Sequence, residues 1–245
     1  MAVQTFKIPD SILEGMKYPF CPGCDHGVAI RLVAEVLDEL GVREKAITAG
    51  SVGCSVCIYN LLNVDTIEAP HGRALAVATG VKRAKPDKFV FTYQGDGDFA
   101  SIGLGESLHA ALRGENISTI CINNTTFGMT GGQLGPTTLI GQKTTTSPNG
   151  RTADIYGYPI KIAEHVALCG GTAFSARVSL DTVANIRKAK QAIKKAFQMQ
   201  IEGKGFGFVE ILATCPTNWK MSPQEAHERV RGEMAEVFAP GIYKE

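Results

Sequence analysis

One carboxylate, a set of glycines and a pair of side-chain amides stand at suggestive spacing in this sequence of 245 residues. Residues 91–132 read FTYQGDGDFASIGLGESLHAALRGENISTICINNTTFGMTGG. A β-branched and aromatic run breaks at Gly95-Asp96-Gly97-Asp98. Small residues then continue as a helix from near Ala100, a second strand covers 117–122, and Asn123-Asn124 closes it. In an open α/β sheet, ligands bind outside the carboxyl ends of the strands, so Asp96 and Asn124 are expected to meet there. Asp96 offers a carboxylate, Asn124 a side-chain carbonyl and Thr126 a backbone carbonyl. Mg²⁺ wants about six such oxygens in octahedral array and takes some from phosphate and water. The glycines let the backbone approach closely, and the helix start directs its positive end at an anion. Together these groups suit a metal-bound diphosphate.

Seven cysteines, an odd number, accompany an N-terminus without a secretory signal, which argues against a disulfide framework. Cys121 inside an apolar strand and Cys169 after an apolar helix read as core residues. Cys21, Cys24, Cys54, Cys57 and Cys215 sit beside Gly, Pro and Ser instead. Cys21-x-x-Cys24 and Cys54-x-x-Cys57 could form two knuckles of a zinc site. Alternatively Cys21, Cys24 and Cys54 join a distant Cys215 in an iron–sulfur site. Cys215 emerges at a strand end, as Asp96 and Asn124 do. Among the histidines, His26, His109, His165 and His227 read as structural hydrogen-bonders. His71 differs by context, because it precedes Gly72 after a break at Pro70, where a strand end meets a helix start.

The elements that must position these groups alternate. Residues 1–20 read as a loose arm broken by Pro9 and Pro19. Residues 28–40 carry apolar residues at helical spacing and stop at Gly41, 45–48 form a strand, and 73–85 form a helix closed by Pro86. After the central unit, a stretch rich in Gly and Thr shows no periodicity and is expected to line a site. Residues 159–168 predict a short helix and 172–177 a strand. A long helix over 181–202 is capped near Leu180 or Asp181. A last strand over 208–212 delivers Cys215, and a charged tail follows Met221. Alternation of strand and helix predicts a doubly wound, mostly parallel α/β sheet, read as one domain over 1–245. An apolar fraction of 44% suffices for its core, and 25 basic against 24 acidic residues imply neither a nucleic-acid nor a membrane partner. No apolar run is long enough to span a bilayer, so a cytoplasmic location is expected.

The spacing from Asp96 to Asn124, 28 positions, resembles the thiamine-diphosphate signature of GDG followed by about thirty residues and NN. With Cys21-Pro22-Gly23-Cys24, Gly53-Cys54-Ser55, HGRA at 71–74, GMTGGQ at 128–133 and Cys215-Pro216, the chain resembles the thiamine-diphosphate-binding β subunit of the 2-oxoacid:ferredoxin oxidoreductases. The resemblance implies oxidative decarboxylation of a 2-oxoacid to acyl-coenzyme A, with electrons passing through a [4Fe–4S] cluster to ferredoxin. It assigns the cluster to Cys21, Cys24, Cys54 and Cys215, and Mg²⁺ to Asp96, Asn124 and Thr126. It places Gly53, Cys54, Ser55, His71, Gly95, Gly97, Asp98, Gly128, Met129 and Thr130 against the cofactor, with Gly131, Gly132 and Gln133 following. His71 becomes the candidate catalytic contact, touching diphosphate or substrate. Relatives acting on pyruvate tend to carry Asn where Met129 stands, which favours a larger substrate, 2-oxoisovalerate ahead of 2-oxoglutarate. For a dicarboxylate, Lys143 and Arg151 are the candidate cations. Asp25-His26 departs from the Gly that many relatives carry after the second cysteine. With room for one such sheet, the chain is expected to borrow its activating glutamate from a pyrimidine-domain subunit and to be inactive alone. The rival readings are a non-redox thiamine-dependent decarboxylase subunit and a zinc-stabilised binding subunit.

Overall fold

The structure, a computed structural model, describes residues 7–245. In chain order it contains α1 His26–Glu39, β1 Ala46–Gly50, β2 Asp65–Glu68, α2 Ala74–Ala84, β3 Phe89–Gly95, α3 Leu104–Leu112 and β4 Ser118–Asn123. Then follow β5 Thr126–Phe127, β6 Gln133–Leu134, α4 Ala153–Tyr156, α5 Ile162–Leu168, β7 Thr172–Ser179 and α6 Val183–Ile201. β8 Phe206–Leu212, α7 Pro216–Trp219, α8 Pro223–Arg229, α9 Ala235–Val237 and β9 Gly241–Lys244 complete the chain.

Seven strands form one sheet in the order β2-β1-β3-β4-β8-β7-β9, parallel except for the final β7–β9 pair. β1, β4 and β8 are buried at every position, the pattern of parallel strands covered by helices on both faces. Alternate side chains feed two cores. Phe89, Phe91, Tyr93, Ile120 and Ile122 pack with α1 and α6. Val90 and Cys121 face the opposite way, toward α2, α3 and α5. The α/β architecture read from the sequence therefore holds, and the buried face of α6, six apolar residues from Ala189 to Met199 followed by Gln200, packs on β7, β8 and β4.

Several local expectations change. Within the described part of the arm, Ser11 and Ile12 are buried, with Ile12 bridged to Leu62 and Ser11 donating to Asp38 at 2.6 Å. Residues 1–6 of the proposed arm lie outside the described residues. The long helix is capped by Thr182, whose hydroxyl accepts from the Asn185 amide, and not by Leu180 or Asp181. The helix expected near Ala100 begins with a π turn at Asp98–Ile102. β2 was not foreseen, because its DTIE sequence is short, exposed and half polar. The Gly- and Thr-rich stretch is ordered by the β5–β6 hairpin and α4. The charged tail is docked through Val230, Met234 and Phe238, which pack with Leu212 and Leu139.

Candidate active site

Sheet topology brings the sequence motifs together. β1, β3 and β4 run parallel as neighbours, so Ser51, Asp96 and Asn124 leave the same edge. Between them lies a cavity of about 80 Å³ lined by His26, Val52, Gly53, Cys54, Ser55, His71, residues 95–98, Asn124, Thr126, Phe127, Gly128, Met129 and Thr130. Every residue expected against the cofactor, apart from residues 131–133, lines it. It is far smaller than the ~300–1,000 Å³ of ordinary small-molecule sites. Val52 and Met129 stand at its rim, 39% and 50% exposed. A larger cavity of about 760 Å³ lies under β9 and α6, away from all these motifs, and we attach the chemistry to the strand-end site.

Asp96 is buried at the base of the site. One oxygen accepts from the Gly97 amide at 2.9 Å and the other from the Thr137 hydroxyl. Among the described residues it forms no ion pair. Burial pushes its carboxyl up to about 7, against the pull of those hydrogen bonds. A carboxylate desolvated without a cationic neighbour suits a cation-binding position. Gly97 is required sterically, since a Cβ there would overlap the Phe127 ring.

The paired asparagines divide their work. Asn123 donates to Glu210 at 2.7 Å and accepts from the Thr125 amide at 3.2 Å, while Asn124 accepts from the Thr126 amide at 3.2 Å. These bonds hold Thr125 in the left-handed region, at φ 59°, a conformation a β-branched residue adopts only when its surroundings impose it. The Thr125 carbonyl is further fixed by Thr138, at 2.6 Å, and Gln142, at 3.3 Å. The β5–β6 stretch and its following loop thus brace the turn that carries Asn124 and Thr126.

Asp98 lines the cavity, but its carboxylate is committed inside the protein. Ser51, His71 and the Gly72 amide all donate to one oxygen, at 2.5, 2.5 and 2.6 Å, and Gln94 donates to the other. Its role is therefore to orient His71 and not to contact a ligand with its carboxylate. Because a carboxylate only accepts, the proton on His71 sits on Nδ1, leaving Nε2 as the free ring nitrogen. His26 also lines the cavity, where sequence reasoning gave it a structural part only. Its Nδ1 pairs with the Tyr93 hydroxyl at 2.9 Å, and burial lowers its pKa to about 4, so the ring is neutral.

The cysteines gather on one flank. Burial pushes Cys24 up to about 12 and Cys54 up to about 11, and thiolates at Cys215 and Cys54, or at Cys215, Cys57 and Cys21, add to the shift in each case. Cys215 is likewise raised by burial and by Cys21 and Asp96 nearby, against a hydrogen bond from Asn218. Cys57 lies next to Cys54 and packs against the core. Among the described residues no group of three His, Cys, Asp or Glu is set to hold a single metal ion. A Cβ on Gly128 would stand 3.4 Å from Cys215 Sγ and 3.5 Å from the Asn124 amide, so the cysteine flank abuts the asparagine turn.

Other expectations separate from the site. Gln133 does not itself line the cavity, and its side chain is bonded to Thr130, which does. Arg73, to which the sequence assigned no site role, closes a structural ion pair with Glu106 at 2.5 Å. Neither Lys143 nor Arg151 reaches the cavity. Arg151 is buried and donates to the carbonyls of Gly135, Pro136, Thr138, Tyr156, Gly157 and Tyr158, which makes it the staple of its loop and not a substrate cation. Thr137 and Asn123 were missed as site residues, since nothing in their spacing marks contacts made across 41 and 87 positions.

Residues 51–211, which contain the whole strand-end cavity except His26, match the family model for the thiamine pyrophosphate enzyme C-terminal TPP binding domain. Over 208 residues the chain is 38% identical to the 2-oxoglutarate synthase subunit KorB of Methanocaldococcus jannaschii, covering 83% of this chain and 72% of that one. The chain belongs to the thiamine-pyrophosphate-binding subunits of the 2-oxoacid oxidoreductases. This subunit is also 45% identical over 219 residues to the ketoisovalerate oxidoreductase subunit VorA of Methanothermobacter thermautotrophicus, covering 89% of this chain and 46% of that one. It thus spans about half the length of the ketoisovalerate relatives it matches. Its fold superposes, with a TM-score of 0.75 and 29% identity, on a 2-oxoglutarate:ferredoxin oxidoreductase from Magnetococcus marinus bound to 2-oxoglutarate, coenzyme A and succinyl-CoA, covering 87% of this chain and 69% of that one. Among the described residues no helix is long and apolar enough to cross a membrane.

Proposed function

We propose that the subunit works with partner subunits to decarboxylate a 2-oxoacid oxidatively, giving acyl-coenzyme A and CO₂ and passing the electrons to ferredoxin. The observation that carries this reading is the Asn218 side-chain amide, which donates to Cys215 Sγ at 3.2 Å and to the Gly128 carbonyl at 2.9 Å, so the candidate cluster cysteine stands beside the turn that would bind the diphosphate. Asp96, Asn124 and the Thr126 carbonyl would hold Mg²⁺ and through it the diphosphate. The Gly95, Gly97 and Gly128 backbone, with Gly53, Ser55 and Thr130, would line the remaining contact. Cys21, Cys24, Cys54 and Cys215 would hold a [4Fe–4S] cluster. When bound, thiamine supplies carbanion stabilisation and the cluster supplies one-electron acceptance.

Thiols from three separate segments, Cys21 and Cys24, Cys54, and Cys215, gather on one flank, which supports the four-cysteine cluster reading. His71 is the chain's candidate contact to diphosphate or substrate: Asp98 holds the ring through Nδ1, and the residue lines the cavity. Among the described residues no Lys or Arg lines the cavity, and its rim is Val52 and Met129. That supports an aliphatic, branched-chain acid such as 2-oxoisovalerate ahead of 2-oxoglutarate. The narrow cavity supports a site completed by a pyrimidine-domain partner, which would bring the activating carboxylate.

Anaerobic turnover of the complex on a panel of 2-oxoacids, with coenzyme A and a viologen dye, tests this. Dye reduction strongest with 2-oxoisovalerate supports the reading. Preference for 2-oxoglutarate would overturn the substrate assignment, and full turnover by the subunit alone would overturn the need for a partner.

A further inference from the structure

We infer that Asp25 is a positioning residue that ties the Cys21–Cys24 turn to the arm carrying Cys215 and so keeps the four thiols in register. The inference rests on the iron–sulfur reading above and concerns this chain's own residues. Asp25 occupies the N-cap of α1, where an aspartate ordinarily turns its carboxylate onto the first free amides of its own helix. Here it makes no such bond. Its Oδ2 accepts instead from the amide of Thr214 at 2.9 Å, and its Oδ1 pairs with His227 Nε2 at 2.9 Å. Thr214 immediately precedes Cys215, and Asp25 immediately follows Cys24. One buried carboxylate therefore spans the two arms, separated by 189 positions in the chain.

Two further contacts close the same clamp. The Thr214 hydroxyl donates to the Gly23 carbonyl at 2.6 Å. Gly23 has φ 76°, and a Cβ there would come within 2.6 Å of the Pro223 ring at the start of α8. α8 is itself fixed by a capping box between Ser222 and Glu225, which presents His227 to Asp25. Cys24 and Cys215 are thus both adjacent in sequence to residues of one bonded set. Outer-shell hydrogen bonds of this kind govern how firmly ligands hold their metal.

The test uses the full chain, reconstituted anaerobically with ferrous iron and sulfide, and follows iron release to a coloured chelator, with near-ultraviolet circular dichroism reporting the fold. Asp25→Ala is expected to release iron about tenfold faster than the wild type. Asp25→Asn keeps an acceptor oxygen for the Thr214 amide and is expected to restore slow release. Equal rates for wild type and Asp25→Ala would overturn the inference, as would Asp25→Asn releasing iron as fast as Asp25→Ala. Should Asp25→Ala lose its folded spectrum, His227→Leu, which cuts only the outer tie, decides: faster release supports the clamp and the wild-type rate overturns it. A wild type that takes up no iron overturns the iron–sulfur reading and the clamp together.

Discussion

The side-chain amide of Asn218 donates to Cys215 Sγ at 3.2 Å, and with its other hydrogen to the Gly128 carbonyl at 2.9 Å. A cysteine of the proposed cluster flank and the turn of the proposed diphosphate site are therefore held by one residue. Hydrogen bonds to ligating sulfur stabilise the more reduced state of an iron–sulfur site. Replacing Asn218 with Ala is expected to move the reduction potential of the cluster to more negative values, read by redox titration with electron paramagnetic resonance. An unchanged potential would show that the bond does not act on the cluster.

Asp96→Asn is expected to weaken Mg²⁺-dependent binding of thiamine diphosphate by about 100-fold, or ~2.8 kcal/mol, measured by calorimetry on the complex. The amide keeps the shape and the Thr137 contact but loses the charge that draws the cation. Asp98→Asn affects a different property: it disrupts an acceptor of four donors and should lower the melting temperature more than the metal affinity. Equal losses of metal affinity from both variants would contradict the division of roles between the two carboxylates.

Arg151→Lys should destabilise the subunit by about 2–4 kcal/mol, although charge is conserved. A guanidinium reaches six carbonyls in a planar fork, and a single ammonium cannot. Because Thr137, Thr138 and Gln142 belong to the stapled loop, cofactor binding should weaken along with stability. A variant as stable as the wild type in urea titration would show that the loop does not depend on the fork.

Much of this was legible in the sequence, for a physical reason. Strand–turn–helix boundaries at Gly95–Asp98 and at Asn123-Asn124 are written in neighbouring residues, and the rule that parallel strand ends converge then places Asp96 near Asn124. Cys215 was placed on the same side by the same rule. The contacts of Thr137 with Asp96, Asn123 with Glu210 and Asp25 with Thr214 were not legible, because no local pattern specifies which distant donor a buried carboxylate finds. Arg151 misled for the same reason: a cation in a polar loop looks available to a ligand until six carbonyls around it are seen.

Glu115 carries an acid-sensitive part of the stability. Burial pushes its carboxyl up, but hydrogen bonds and charge from Arg113, at 2.7 Å, and Arg83, at 2.6 Å, outweigh that and hold it below its ordinary value. A carboxylate lowered in the folded state stabilises above its unfolded pKa, and the contribution disappears as pH falls through the folded value. Glu115→Gln should therefore melt below the wild type near pH 7, with the two curves converging as pH drops from about 5 to 3. A constant gap across that range would contradict the assignment.

The most direct measurement is iron, acid-labile sulfide and thiamine quantification on the anaerobically purified complex, comparing the wild type with a Cys24→Ser, Cys215→Ser double variant. The account predicts that the variant loses about four irons per copy of this subunit, the content of one cubane, while thiamine diphosphate and Mg²⁺ stay bound. Identical iron content in the two complexes would contradict it, and would leave the diphosphate site standing while returning Cys21, Cys24, Cys54 and Cys215 to a structural part.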